Sequence, residues 1–144
     1  MISITKVVEW DMGHRVPNHK SKCRNPHGHR YRMELTIAGE VDSTAGASSE
    51  GMVVDFGDVK AVMMSRVHDV LDHGFMYYEK DPLMAGFFAD CGEDFLAIPV
   101  SFIPTAENIA RWCGEQLHEA FGDGVVIENV RVFETPNSWA DYRP

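Results

Sequence analysis

Three histidines, one cysteine and a few carboxylates are the residues of this sequence with chemistry to offer. His27 and His29 flank Gly28 in a run of alternating residues, so on a β-strand both imidazoles point to one side and Gly28 leaves the other side bare. The same side carries Tyr31, Met33, Leu35 and Ile37, which makes it the apolar face. His14 closes an earlier alternating run in phase with Trp10 and Met12. If the two runs pair as antiparallel neighbours, His14 comes beside the His27/His29 pair. Three neutral imidazoles meeting at one end of a sheet make a first-row metal site, most simply zinc with an open fourth position. The alternative is three separate histidines bonded to backbone or solvent. His19, His68 and His118 lack any such arrangement and read as loop or helix-surface residues.

Cys23 stands four residues before His27. It is either a fourth ligand, closing a structural site, or a nearby thiolate acting as base or nucleophile, and spacing does not separate the two. Lys22 and Arg24 flank it, and both cations favour the thiolate. They belong to an island, residues 12–33, holding Arg15, Lys20, Lys22, Arg24, Arg30 and Arg32 and no acid, in a chain of formal charge −9. Such an island is either a solvated loop or a guide for an anionic, phosphate-bearing substrate. Asp72-His73 ends a helical pattern and is a carboxylate–imidazole pair able to relay protons, or simply a histidine suited to a helix C-terminus. Glu134 is in phase with Val130 and Val132, so either it points inward, needing a polar partner such as a heterocycle edge, or the strand runs out into solvent there.

The elements that must hold these groups follow from periodicity. Residues 2–14 and 27–41 alternate as an antiparallel pair with one wet face, joined by a Pro-, Asn-, Lys- and Ser-rich loop. Residues 57–72 shift to helical spacing, with Gly74 as a stop, and 42–51 is a polar turn or loop. A second helix opens at Pro104-Thr105, with Thr105 as N-cap, and carries Ile109, Trp112, Cys113, Leu117, Ala120 and Phe121 as its stripe before Gly122-Asp123-Gly124. Residues 125–134 form a strand, followed by a short edge strand. Residues 74–103 show no sustained period and read as a lid, an interface segment or a disordered stretch. The expected fold is α+β: a four-stranded antiparallel sheet with two helices on one face, in the order ββααββ.

At 144 residues the chain is expected to be one domain, 1–144. Its acidity disfavours nucleic acid as a partner. Its longest mostly apolar stretch, 95–104, contains two prolines and is too short to span a bilayer. No signal peptide is visible in MISITKVVEWD, and three cysteines without a CxxC pair fit reduced thiols, so a cytoplasmic location without membrane contact is expected.

Taken together, GHR with His14, C-x3-HGH from Cys23 to His29, VVDFGDVK at 53–60, LDH at 71–73, PTAENIA at 104–110 and FET at 133–135 resemble the 6-pyruvoyltetrahydropterin synthase / 6-carboxytetrahydropterin synthase family. The resemblance implies a tunnelling fold, in which subunits join their sheets into an oligomeric barrel (a hexamer or tetramer) with active sites between subunits. It implies that His14, His27 and His29 hold zinc and that Cys23 is the catalytic thiolate, with Asp72 and His73 as the relay beside it. Glu134 would grip the amino-pyrimidine edge of a pterin and share in the proton network, and Thr105 and Glu107 would line the pterin pocket. The implied substrate is 7,8-dihydroneopterin triphosphate. The three-residue gap between Cys23 and His27 resembles the carboxy branch, whose products are 6-carboxytetrahydropterin, acetaldehyde and triphosphate, a step toward queuosine. The pyruvoyl branch, with triphosphate elimination, and a non-catalytic zinc- or pterin-binding module are the alternatives. The sequence departs from the family at Trp10-Asp11-Met12-Gly13, at Gly74 after LDH, and in the length of 74–103.

Overall fold

The computed structural model describes all 144 residues. The alternation of the first two runs produces two long strands, β1 (Ile2–His14) and β2 (His27–Gly39), zipped antiparallel in unbroken register from Ile2 opposite Gly39 to His14 opposite His27. Trp10, Met12, Tyr31, Met33, Leu35 and Ile37 are buried on one face of this pair, as the two-residue period requires. On the other face Thr5, Glu9 and Arg30 are exposed. β5 (Val126–Thr135) pairs antiparallel with β2, through a bulge at Thr36/Ile37, and β6 (Ser138–Tyr142) pairs antiparallel with β5.

The first helix begins at Asp55, whose carboxylate caps Gly57 N–H, and runs as α1 (Phe56–Met63), a π-helical turn (Met64–His68) and α2 (Asp69–Leu71). The π turn has a cause in the sequence. Val59, Met63, Val67 and Leu71 are all fully buried and recur every four residues. In an α-helix each step of four overshoots a full turn by about 40°, and the wider π turn takes that drift back, keeping all four on the sheet. The second predicted helix is α4 (Ala106–Leu117), capped by the Thr105 hydroxyl, which accepts from Asn108 N–H. It stops at Leu117, earlier than expected, because His118 leaves the helical region and Glu119 takes a left-handed φ of 58°. Phe121 packs against the core from the loop beyond.

The expectation of a four-stranded antiparallel sheet with two helices needs correction. Residues 74–103 are ordered as β3 (Phe75–Tyr78), α3 (Pro82–Cys91) and β4 (Ala97–Val100). The sheet is six-stranded and mixed, in the order β4-β3-β1-β2-β5-β6, with β3 parallel to β1 and to β4. Met76 joins the main core, while Phe75 and Tyr77 turn to the opposite face, where Phe88 of α3 stacks on Tyr77 with ring centroids 5.1 Å apart. Two helices therefore cover one face, as expected, and a third covers one end of the other. Each added strand is only four residues long, too short to print a period, and β4 contains Pro99. Gly13 and Gly28 lie opposite one another at the end of the β1–β2 ladder. A Cβ on Gly13 would sit 2.5 Å from the Phe75 ring, so the strand's close approach to β3 requires glycine there.

Candidate metal centre and catalytic cleft

The ladder end brings the three histidines together. Ring centroids of His14 and His27 are 4.6 Å apart, those of His14 and His29 5.2 Å, and those of His27 and His29 4.9 Å. One ring nitrogen from each lies within 4.8 Å of the others. His14 Nδ1 donates to the Pro104 carbonyl at 2.7 Å and His27 Nδ1 to the Asn25 carbonyl at 2.6 Å. A carbonyl can only accept, so both rings carry their proton on Nδ1 and leave the Nε2 lone pair free. His14 Nε2 and His29 Nε2 are buried with no hydrogen-bond partner in the chain, and a cation between them would take those lone pairs. Burial drives the His14 pKa down to about 4, against the pull of the Pro104 carbonyl and with help from His27 and His29. Burial also lowers His29, opposed by Glu134. Neutral imidazoles are the ligating form, so the donor set fits a first-row metal ion.

Beneath the histidines Tyr31 meets the rings of His14 and His29 edge-on, and Trp10 stacks on Tyr31. The Tyr31 phenol is pushed up by burial first and then by the negative charges of Glu134 and Cys23. Glu134 turns inward. Its carboxylate lies 3.7 Å from His29 Nε2 and 3.9 Å from His14 Nε2, outside hydrogen-bond range, and is a quarter exposed. With both imidazoles neutral these are not ion pairs, and the carboxylate keeps its acceptor capacity for something in the cleft. That cleft, about 290 Å³, is lined by Cys23, His19, Thr105, Glu107, Glu134 and Trp139 among others. Four of the residues singled out in the sequence thus share one cavity.

Asp72 and His73 do not. His73 Nδ1 donates to Asp72 Oδ2 at 2.9 Å, and Asp72 Oδ1 accepts from Asp11 N–H at 3.0 Å. The Asp11 amide first, and then His73, hold the Asp72 carboxyl below its ordinary range. His73 adopts a left-handed φ of 63°, its N–H donates to the Asp11 carbonyl, and its side chain is 79% exposed. The pair is thereby strapped to the outward face of β1, and His73 lines a separate cavity with Asp11, Gly28, His29 and Arg30. Within one chain the dyad and Cys23 therefore line different cavities. Of the remaining histidines, His19 accepts from Ser21 N–H, His68 contacts Asp69 and His118 contacts Glu119.

The basic island divides in two. Arg15 pairs with Asp81, Arg30 with Asp11, and Arg32 with Glu34. Lys20, Lys22 and Arg24, on either side of Cys23, have no carboxylate partner. The sequence reading missed Asp81 and the Pro104 carbonyl. Asp81-Pro82 was a legible helix start, an N-cap followed by proline at the first helical position. Nothing in the sequence marks a carbonyl.

The α+β sheet thus ends its long hairpin in a three-imidazole cluster able to hold a metal ion, beside a cleft that carries a thiol and a carboxylate, the donor and acid–base groups that a metal-assisted enzyme combines. The model of the 6-pyruvoyl tetrahydropterin synthase family matches residues 3–144, and the chain belongs to that family. It is 31% identical over 146 residues to the 6-carboxy-5,6,7,8-tetrahydropterin synthase of Haemophilus influenzae, covering 99% of both chains. It is 35% identical over 139 residues to the protein of that name from Synechocystis, covering 96% of this chain and 91% of the relative. The solved 6-pyruvoyl tetrahydropterin synthase of Caenorhabditis elegans superposes with a TM-score of 0.68 at 27% identity, over 99% of this chain and 95% of that one. No helix is long and apolar enough to cross a membrane.

Proposed function

We propose that this chain, as one domain, is a zinc-dependent 6-carboxy-5,6,7,8-tetrahydropterin synthase. It converts 7,8-dihydroneopterin triphosphate to 6-carboxytetrahydropterin with release of acetaldehyde and triphosphate, on the way to 7-deazaguanines such as queuosine. The observation that carries this reading is the meeting of Cys23 and Glu134 on one cleft, with the Glu134 carboxylate 3.7 Å from His29 Nε2 and 3.9 Å from His14 Nε2 of the three-imidazole cluster. Relatives bearing that name in Haemophilus influenzae and Synechocystis, and the three-residue gap between Cys23 and His27, favour the carboxy branch over the pyruvoyl one.

His14, His27 and His29 hold the ion, which when bound supplies Lewis acidity to the side-chain oxygens of the substrate. Cys23 moves a proton to or from the adjacent side-chain carbon. Its reach is set by the 3₁₀ turn Lys22–Arg24, whose unpaired Lys22 and Arg24, with Lys20 just before the turn, give the thiol positive neighbours suited to a triphosphate. Glu134 accepts from the amino-pyrimidine edge of the pterin and orients the ring, and Thr105 and Glu107 form the wall opposite. Asp72 and His73 act on a neighbouring subunit's thiol. The dyad's Asp72-fixed tautomer, its outward aim and its separate cavity support an oligomer with active sites between subunits. Three unpaired thiols suit the cytoplasm.

The test is mass spectrometry of the products formed by zinc-loaded protein from 7,8-dihydroneopterin triphosphate. 6-Carboxytetrahydropterin with acetaldehyde is expected. 6-Pyruvoyltetrahydropterin would move the chain to the other branch, and unchanged substrate would refute the reading.

A further inference from the structure

One buried ion pair joins parts of the molecule that the reaction alone does not account for. Asp81 is 1% exposed and is one of two buried polar or charged side chains, with His14. Both of its oxygens are engaged. Arg15 Nε donates to Oδ2 at 2.6 Å, and Oδ1 accepts from Arg15 NH2 at 3.1 Å and from Leu83 N–H at 3.1 Å, capping α3. The third guanidinium nitrogen, Arg15 NH1, donates to the Arg24 carbonyl at 3.1 Å. Arg15 therefore ties three elements: the residue after a metal ligand on β1, the start of α3, and the turn that carries Cys23.

The turn itself is fastened through three successive carbonyls. Cys23 O accepts from Val16 N–H at 2.8 Å, Arg24 O from Arg15, and Asn25 O from His27 Nδ1. The first bond is backbone to backbone and the third comes from a metal ligand. The middle one depends wholly on a side chain, and that side chain is locked by a carboxylate delivered from the 74–103 segment. An arginine fork can hold a carboxylate with two nitrogens and a carbonyl with the third; a lysine ammonium lacks that planar geometry.

We infer that Arg15, locked by Asp81, is a positioning residue that fixes the Cys23 turn against the metal strand, and that α3 is present to supply the lock. The inference rests on the reading of Cys23 as the thiol that moves the proton, but its primary readout is independent of turnover. Removing Asp81 alone leaves a half-buried guanidinium without its counter-charge and endangers the fold. The test variants are therefore Arg15→Lys, which keeps a charge for Asp81 and loses the fork, and the double variant Arg15→Met/Asp81→Asn, which is neutral and retains a capping side chain.

On zinc-loaded protein, iodoacetamide modification of Cys23 is followed by peptide mass spectrometry, alongside zinc content, kcat and KM. Both variants are expected to bind one zinc per chain and to alkylate Cys23 about 5–10-fold faster, while kcat falls roughly 10–100-fold and KM stays within about 3-fold, the signature of a displaced catalytic group. Unchanged alkylation in the two variants overturns the inference. Faster alkylation with unchanged kcat upholds the positioning of Cys23 and instead refutes the catalytic role given to that thiol. A purely stabilising ion pair would lower the melting temperature and leave both the alkylation rate and kcat of the folded fraction as they were.

Discussion

Acid should loosen the histidine cluster of the metal-free protein before it reaches the carboxylates. His14 titrates at an ordinary 6.5 when unfolded and at about 4 when folded, because burial refuses it a charge. Between those values the unfolded chain binds a proton that the folded chain does not, so stability falls as pH falls through this window. At pH 5 the unfolded residue is almost wholly protonated and the folded one almost wholly neutral, and the difference amounts to about 2 kcal/mol from His14 alone. His29, lowered for the same reason, acts in the same direction. Asp42 and Asp141, held near 2 by hydrogen bonds, contribute their loss only as pH falls below the ordinary carboxylate value of 3.8, so the two effects separate. The assay is urea unfolding of metal-free wild type and His14→Gln at pH 7 and pH 5. The variant should lose about 2 kcal/mol less than wild type between the two conditions. Equal losses in both proteins would refute the argument that burial keeps His14 neutral.

Cys23→Ser should reduce turnover by roughly 100- to 10,000-fold while metal content, measured by atomic absorption, stays at one equivalent; loss of metal would make Cys23 a ligand instead. Glu134→Gln should leave metal content unchanged, because the donor atoms that cluster for an ion are those of the three imidazoles alone. The same change should cost about 10- to 100-fold in kcat/KM, by weakening a charge-assisted contact to the pterin edge. Gly13→Ala should lower stability by about 1–3 kcal/mol in thermal or urea unfolding, since the new methyl meets the Phe75 ring.

The ligand end of the sheet was legible because strand geometry leaves little freedom. A period of two and an antiparallel pairing were enough to bring His14 beside His27 and His29, and the same period turned Glu134 inward after Val130 and Val132. Where no period could form, the reading stopped. β3 and β4 offer four residues each, and α3 puts Leu83 and Phe87 into solvent, so neither its apolar content nor its spacing drew a face. The Asp72-His73 pair shows a different limit. Its sequence position was clear, but a left-handed turn at His73 decides which way it faces, and no residue type required that turn. The Arg15–Asp81 pair joins residues whose partnership only the folded chain brings about.

A ladder of paired strands unravels from its ends, where each hydrogen bond has a neighbour on one side only. The imidazoles of His14 and His27 belong to the last rung of the β1–β2 ladder, and loop 15–26 closes back between them. Any ion held there would act as a clasp on that loop, removing much of the freedom of the segment that bears Cys23. Chelation and strand pairing are then a single cooperative event: each unzipped rung disperses the donors, and each bound ion resists the unzipping. Amide exchange along residues 12–29 should therefore read metal occupancy directly, slowing from the loop inward as the ion is added.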